Sequence, residues 1–270
     1  MHSFSKIAKT LSFYSAGYLL FLLVLPCAAP AQTRMINATI DTSKTGAPIS
    51  KYIYGQFLEE GGDIVNTGVW AEMLADRKFF YPVADTAPKP PPMMGNAVGN
   101  PRFRHPPTRW WAPIGGDGVV MMDTKSPYTG DQSPLVKLDQ NEPHGFSQHG
   151  IAVRKGKVYT GRIVLAGSPG AVVKVTLIWG KEAGDRQTVV LHHLGPSFRK
   201  FPLRYTAASD TDDATLEITG TGNGSFHVGA VSLMPADNID GFRPEVIAAL
   251  KQLHFGVLRF PGGNFVSSYE

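Results

Sequence analysis

The pattern of apolar and polar positions divides this 270-residue chain into three regimes. Ile53–Leu58 reads as a short strand ending on Glu59 and Glu60. A stripe of Val69, Trp70, Met73 and Leu74 then predicts a helix over 68–80, closed by Pro82. Between 110 and 234 the apolar period shortens. Ile151–Val153, Val158–Leu165, Val172–Trp179, Thr188–Leu191, Phe198–Tyr205, Ala214–Thr219 and Ser225–Leu233 are β-rich runs, separated by Gly, Asp and Asn turns at the spacing of a β-sandwich. From 235 the helical period returns. Pro244 suits a first helical turn, and Val246, Ile247, Leu250 and Leu253 form a stripe that asks for burial. Gly256–Phe260 then reads as a buried strand stopped by Pro261-Gly262-Gly263. Met35–Ile40 is one more strand candidate near the N-terminus.

These regimes predict a mixed fold, α/β plus all-β. A β/α domain begins at 32–83 and continues at 235–270. It is interrupted by a jelly-roll-like β-sandwich at 110–234. Residues 84–109, with Pro88, Pro90, Pro91, Pro92, Pro101, Pro106 and Pro107, read as a stiff linker.

Composition adds limits. An apolar content of 43% and a charged content of 18% describe a globular chain, and 29 Gly with 21 Pro imply many turns. Residues 1–31 read as a secretory signal peptide. Lys6 and Lys9 form its positive region, Leu19–Leu25 its apolar region, and Ala29-Pro30-Ala31 a cleavage site before Gln32. The apolar run is too short for a spanning helix, so the mature protein is expected to be secreted or periplasmic, without a membrane anchor. Cys27, the only cysteine, lies in the leader, so stability after export rests on packing rather than disulfides. Of the formal charge of +4, two units belong to the leader lysines, and no basic run resembles a nucleic-acid footprint. Asn37 and Asn223 open glycosylation tripeptides.

The candidate chemistry lies at strand ends. Arg259 closes its predicted strand. A buried guanidinium needs a partner, so either a structural carboxylate holds it or it faces a ligand. Asn264 follows on a glycine turn, where backbone can approach a ligand closely. Glu59 and Glu60 are adjacent, so on a strand they point to opposite faces. They cannot serve as an acid/nucleophile pair, whose two carboxyls must face each other about 5 Å apart. Trp110 and Trp111 offer aromatic faces for a sugar, whereas Trp179, inside an apolar strand pattern, reads as core. His144, His149, His192 and His193 lack metal-ligand spacing and read as surface or turn residues; no metal site is expected.

Two blocks carry a family resemblance. The first is Ile53-Tyr54-Gly55-Gln56-Phe57-Leu58-Glu59-Glu60, with Gly68-Val69-Trp70-Ala71-Glu72-Met73-Leu74 and Arg77-Lys78-Phe79 after it. The second is Gly241-Phe242-Arg243-Pro244-Glu245-Val246, running into Leu258-Arg259-Phe260-Pro261-Gly262-Gly263-Asn264-Phe265. In this order they resemble glycoside hydrolase family 51, the α-L-arabinofuranosidases, and the 110–234 segment is similar to a carbohydrate-binding sandwich module. The resemblance implies the start of a (β/α)8 barrel and retaining hydrolysis of terminal arabinofuranosyl groups on plant polysaccharides or oligosaccharides, without a cofactor. It also implies substrate binding by Glu59, Arg259 and Asn264. Glu60 stands where the family usually has His. The family's acid/base and nucleophile glutamates have no match here, so no catalytic residue is assigned. A full barrel takes about 250 residues; the chain is therefore expected to be an N-terminal fragment, inactive alone, of an enzyme that leaves room for an oligomer. The alternatives are a non-catalytic carbohydrate-binding protein built on 110–234, and a hydrolase of another sugar on a related barrel.

Overall fold

The computed structural model describes residues 36–59, 64–83, 110–116 and 118–260, which fall into two compact units, 1–48 and 49–270. The leader and Asn264 therefore lie outside the described residues.

In the first unit the described segment carries no helix or strand; in its turn Asp41 accepts from the backbone and hydroxyl of Ser43. The strand expected at 35–40 does not form among the described residues. Ile36 and Ile40 are exposed and have no ladder partner.

The second unit opens with a 3-10 turn at Lys51–Tyr54. It leads into β1 (Gln56–Phe57), shorter than the expected Ile53–Leu58. A π-helical turn follows at Ile64–Val69. The sandwich comprises β2 (Ala112–Ile114), β3 (Val120–Asp123), β4 (Ser133–Lys137), β5 (His144–Val153), β6 (Val158–Gly167), β7 (Val172–Ile178), β8 (Arg186–Leu191), β9 (Arg199–Thr206), β10 (Thr211–Thr221) and β11 (Ser225–Pro235). Helix α1 (Pro244–Gln252) and strand β12 (Leu258–Arg259) complete the described chain. The runs from Val158 to Leu233 fall on β6 to β11 nearly as the alternation predicts. Strands β2, β3 and β4, and the polar start of β5, carry too little alternation to be legible.

Two five-stranded antiparallel sheets pack face to face, in the orders β2-β5-β10-β7-β8 and β3-β4-β11-β6-β9. Alternate residues of both sheets turn inward. Phe146, Val173, Val175, Leu177, Leu216 and Ile218 of the first sheet meet Tyr159, Ile163, Leu165, Leu203, Tyr205, Phe226 and Leu233 of the second. Burial holds the Tyr205 phenol well above its ordinary range, and its hydroxyl donates to the Val175 carbonyl at 3.0 Å. Beyond the short stretch paired with β4, one edge of β11 is covered by an irregular segment. Met73 N–H donates to Leu233 O at 2.9 Å, Val231 N–H to Arg77 O at 3.0 Å, and Leu233 N–H to Glu72 Oε1 at 2.9 Å.

The α-helix expected at 68–80 does not form: the π-helical turn ends at Val69, and the chain is irregular from Trp70 on. Asp76 and Phe79 adopt left-handed backbone with φ of 45° and 58°, which a continuous α-helix forbids. Its apolar stripe is recruited by the sandwich, with Leu74, Phe79 and Val83 joining the same core. Phe79 stacks 5.6 Å from Trp111 and 5.5 Å from Phe146. The larger tertiary burial outweighs a local helix preference of tenths of a kcal/mol per residue.

The chain enters and leaves the sandwich on one stem. Trp70 pairs antiparallel with Phe242, Ala71 N–H donates to Gly241 O at 2.8 Å, and Arg243 N–H donates to Val69 O at 3.0 Å. Gly241 takes φ of +88°, which a side chain would strain. Beyond the stem, α1 does not bury its stripe: none of its residues is buried and Leu253 is 62% exposed. Ile247, Leu250, Phe255 and Leu258, with Lys251 and His254, line an open groove of about 540 Å³.

Candidate functional site

The strand-end cluster begins with the pairing of β1 and β12. They run parallel, with Gln56 opposite Leu258 and Phe57 opposite Arg259. Gln56 N–H donates to Val257 O and Leu58 N–H to Arg259 O, each at 2.9 Å. In a parallel pair the C-terminal ends coincide, so Arg259 and the Leu58-Glu59 exit share one edge although some 200 residues separate them in sequence. Both side chains are exposed. The expectation of a buried arginine at Arg259 is thus corrected. Its guanidinium lies 5.5 Å from the centre of the Phe57 ring, and that contact, with water, replaces the carboxylate a buried cation would need. No ion pair joins Glu59 and Arg259 among the described residues. The edge therefore carries a carboxylate and a cation both open to hydroxyl groups, as charge-assisted hydrogen bonding requires.

The two tryptophans part company. Trp110 is 39% exposed and retains an accessible face. Trp111 is 2% exposed, its ring packed against Phe79 and Phe146 and its indole N–H donating to Asp76 O at 3.3 Å. With both faces covered, Trp111 offers no sugar platform; the reason is the alternation that turns it inward just before β2. Trp179 is buried in the core as its strand pattern predicts. His144 and His149 belong to β5, where their Nδ1 atoms meet Lys137 O and Thr215 Oγ1, each at 2.8 Å. His192 and His193 are exposed.

The polar residues that organise the stem were not singled out by sequence reasoning. Glu72 is 5% exposed. Its carboxylate accepts from the N–H groups of Met73, Leu74 and Leu233 and from the Ser232 hydroxyl, the last at 2.7 Å. Gln148 of β5 holds both backbone groups of Ala75, accepting from its N–H at 2.8 Å and donating to its carbonyl at 2.9 Å. Asp76 accepts from Phe80 N–H at 2.7 Å and Tyr81 N–H at 3.0 Å. Burial pushes its carboxyl up to about 6 against the pull of those two donors. Arg77 stacks 4.6 Å from the Trp70 ring. These contacts fasten the stem to both sheets. Glu72 and Arg77 stand in one of the family-resembling blocks, but nothing local marks them as buried anchors.

No family model matches the chain. By sequence it is similar to the extracellular exo-α-L-arabinofuranosidase of Streptomyces chartreusis, 24% identical over 86% of this chain and 26% of the relative. It is also similar to α-L-arabinofuranosidase 1 of Arabidopsis thaliana, 23% identical over 88% of this chain and 34% of the relative. A stretch of 36 residues is 47% identical to a probable α-L-arabinofuranosidase C of Aspergillus terreus, covering 13% of this chain and 7% of that one. Among solved structures, an arabinose-bound family 51 α-L-arabinofuranosidase shares the fold, with a TM-score of 0.56 over 78% of this chain and 34% of that one at 17% identity. The chain spans about a quarter to a third of the length of the Streptomyces and Arabidopsis relatives. The chain is thus similar in sequence to α-L-arabinofuranosidases, and it shares its fold with part of a family 51 enzyme, with a β-sandwich set between its first and last elements.

Proposed function

We propose that this chain is part of an exported α-L-arabinofuranosidase that releases terminal arabinofuranosyl groups from plant polysaccharides by a retaining mechanism. In this reading β1, α1 and β12 begin a (β/α)8 barrel, whose substrate contacts sit at the C-terminal ends of its strands. Glu59 and Arg259, with Asn264, hold the arabinofuranose. The observation that carries the reading is the parallel pairing of β1 with β12. It joins two sequence blocks that lie at opposite ends of the chain and aligns their polar ends on one edge.

A retaining displacement needs an acid/base and a nucleophile facing one another about 5 Å apart. The proposal gives both roles to sequence not contained in these 270 residues. The leader at 1–31 would deliver the protein across a membrane. The test is hydrolysis of an aryl α-L-arabinofuranoside by this chain and by the longest product its gene encodes. Turnover by the longer protein alone is the expected result. Turnover by the 270-residue chain would show that its own carboxylates do the chemistry.

The second reading is a carbohydrate-binding protein built on the sandwich. The observation in its favour is that most of the buried core belongs to the two sheets, while α1 buries nothing. Glycan binding by a chain whose longest gene product hydrolyses no arabinofuranoside would decide for it.

A further inference from the structure

The three central and edge strands β6, β9 and β11 contain no acidic residue but carry Arg162, Arg199, Lys200 and Arg204. Inward positions of β6 and β9 are filled by Tyr159, Ile163, Leu165, Leu203 and Tyr205. Alternation therefore turns Arg162, Lys200 and Arg204 to the outer face of the second sheet, where all three are exposed. The register sets them in a triangle. Arg162 lies opposite Pro202, while Lys200 and Arg204 lie opposite Val164 and Thr160, so each is diagonal to Arg162 at about 7–8 Å between backbones.

Among the described residues none of these three cations is paired with a carboxylate. Arg199 is already engaged, with its guanidinium on His193 O at 2.7 Å and over the Phe201 ring. The acids nearby are also engaged. Glu72 sits behind Ser232 with its oxygens filled by four donors, and Asp237 pairs with Lys157 at 3.4 Å. Beside the cations, Thr160, Gly161, Arg162, Ser232, Met234 and Asn238 line a groove of about 210 Å³. The other sheet differs, since its β10 brings Asp212, Asp213 and Glu217.

We propose that this outer face, at Arg162, Lys200 and Arg204 with the groove beside them, binds an acidic polysaccharide, a polyuronate whose carboxylates the cations clasp. The proposal rests on the reading of the chain as part of a polysaccharide-directed enzyme, and it names the acidic class of polymer that the sandwich holds. Exposed guanidinium groups make bidentate, charge-assisted contacts with carboxylates. In the groove the Ser232 hydroxyl already donates to Glu72 and the Asn238 amide already bonds Pro235 and Gly241, so the contact with the polymer rests on the cations.

The test is affinity electrophoresis of the full 270-residue chain in gels containing sodium polygalacturonate, its methyl ester, or neutral arabinan, at several salt concentrations. Retardation by the polyuronate, weakening with salt and absent with the ester and arabinan, is expected. The double variant Arg162→Gln with Arg204→Gln should weaken that binding by at least about tenfold, since one charge-assisted hydrogen bond is worth about that factor and the variant removes two guanidinium groups. Lys174→Gln on the opposite sheet should leave it unchanged. Absence of polyuronate binding overturns the proposal, as does equal binding of the ester, indifference to the double variant, or equally tight binding of duplex DNA or phosphatidylserine vesicles. Arabinofuranoside hydrolysis by the longest gene product without polyuronate binding removes this inference alone. Polyuronate binding without that hydrolysis supports it and removes the enzymatic reading.

Discussion

Asp76 shows how one residue can decide the path of a segment. Its left-handed backbone ends any helical continuation, its carbonyl accepts a hydrogen bond from the Trp111 indole N–H, and its carboxylate accepts from the N–H groups of Phe80 and Tyr81. Burial without a cation raises its carboxyl from 3.8 to about 6. The folded protein therefore holds this proton more firmly than the unfolded chain does. Below pH 4 both states are protonated and Asp76 costs nothing. As pH rises from about 4 to about 6 the unfolded chain gains from ionising first, so this residue's contribution to stability falls, and above pH 6 the loss is complete. Asp76→Asn keeps one oxygen to accept a backbone N–H but does not titrate. Thermal unfolding followed from pH 4 to pH 7 should show the wild-type Tm falling relative to the variant. Parallel curves would locate the titration elsewhere. Glu72 is more deeply buried, and its two oxygens accept from four donors, which is how a buried polar group is satisfied.

Among the elements, the irregular segment 72–83 serves as an edge strand and a plug together. It satisfies the backbone of β11 at Val231 and Leu233, and Gln148 fixes it from the opposite sheet. An exposed row of N–H and C=O groups on β11 would otherwise invite pairing with another chain. Phe79, fully buried between Trp111 and Phe146, is the centre of that plug. Phe79→Ala should lower stability by about 3–5 kcal/mol through reduced burial and the cavity left behind. A urea unfolding curve checks it. A change below about 1 kcal/mol would mean that the segment rests on the sandwich without supporting it.

Across the whole molecule, burial is uneven. The two sheets share a continuous core, whereas β1, β12 and α1 contain no buried residue among those described. Opening free energy follows buried apolar contact. Amide exchange should therefore be slowest in β5, β7 and β10 and fastest in β1, α1 and β12, with the stem at Val69–Ala71 and Gly241–Arg243 intermediate. Uniform protection would show that the exposed β/α elements are held by more than the described contacts. The exposed apolar side chains there, including Ile53, Phe57, Val257 and Phe260, share the apolar chemistry of the open groove beside α1. The candidate sugar contacts Glu59 and Arg259 stand on this less protected part.

The alternation of apolar residues was enough to place β6 through β11, because burial on one face imposes a period that sequence records directly; α1 was legible from its 3.6-residue period and Pro244, although none of its residues is buried. The two family-resembling blocks pointed to Glu59, Arg259 and Asn264 as sugar contacts; the described residues place the first two on one edge and do not include Asn264. Only the tertiary structure decided the rest. Val69, Trp70, Met73 and Leu74 have helical spacing, yet Leu74 joins, and Met73 packs against, a sandwich core built from residues far along the chain, where the gain from burial is larger. Trp110 and Trp111 are identical in sequence terms; one pleat separates the exposed face from the buried one. Glu72 and Gln148 look like surface residues until long-range backbone donors and acceptors surround them. A one-dimensional pattern fixes which faces seek burial, and a polar group's role depends on which distant backbone is brought against it.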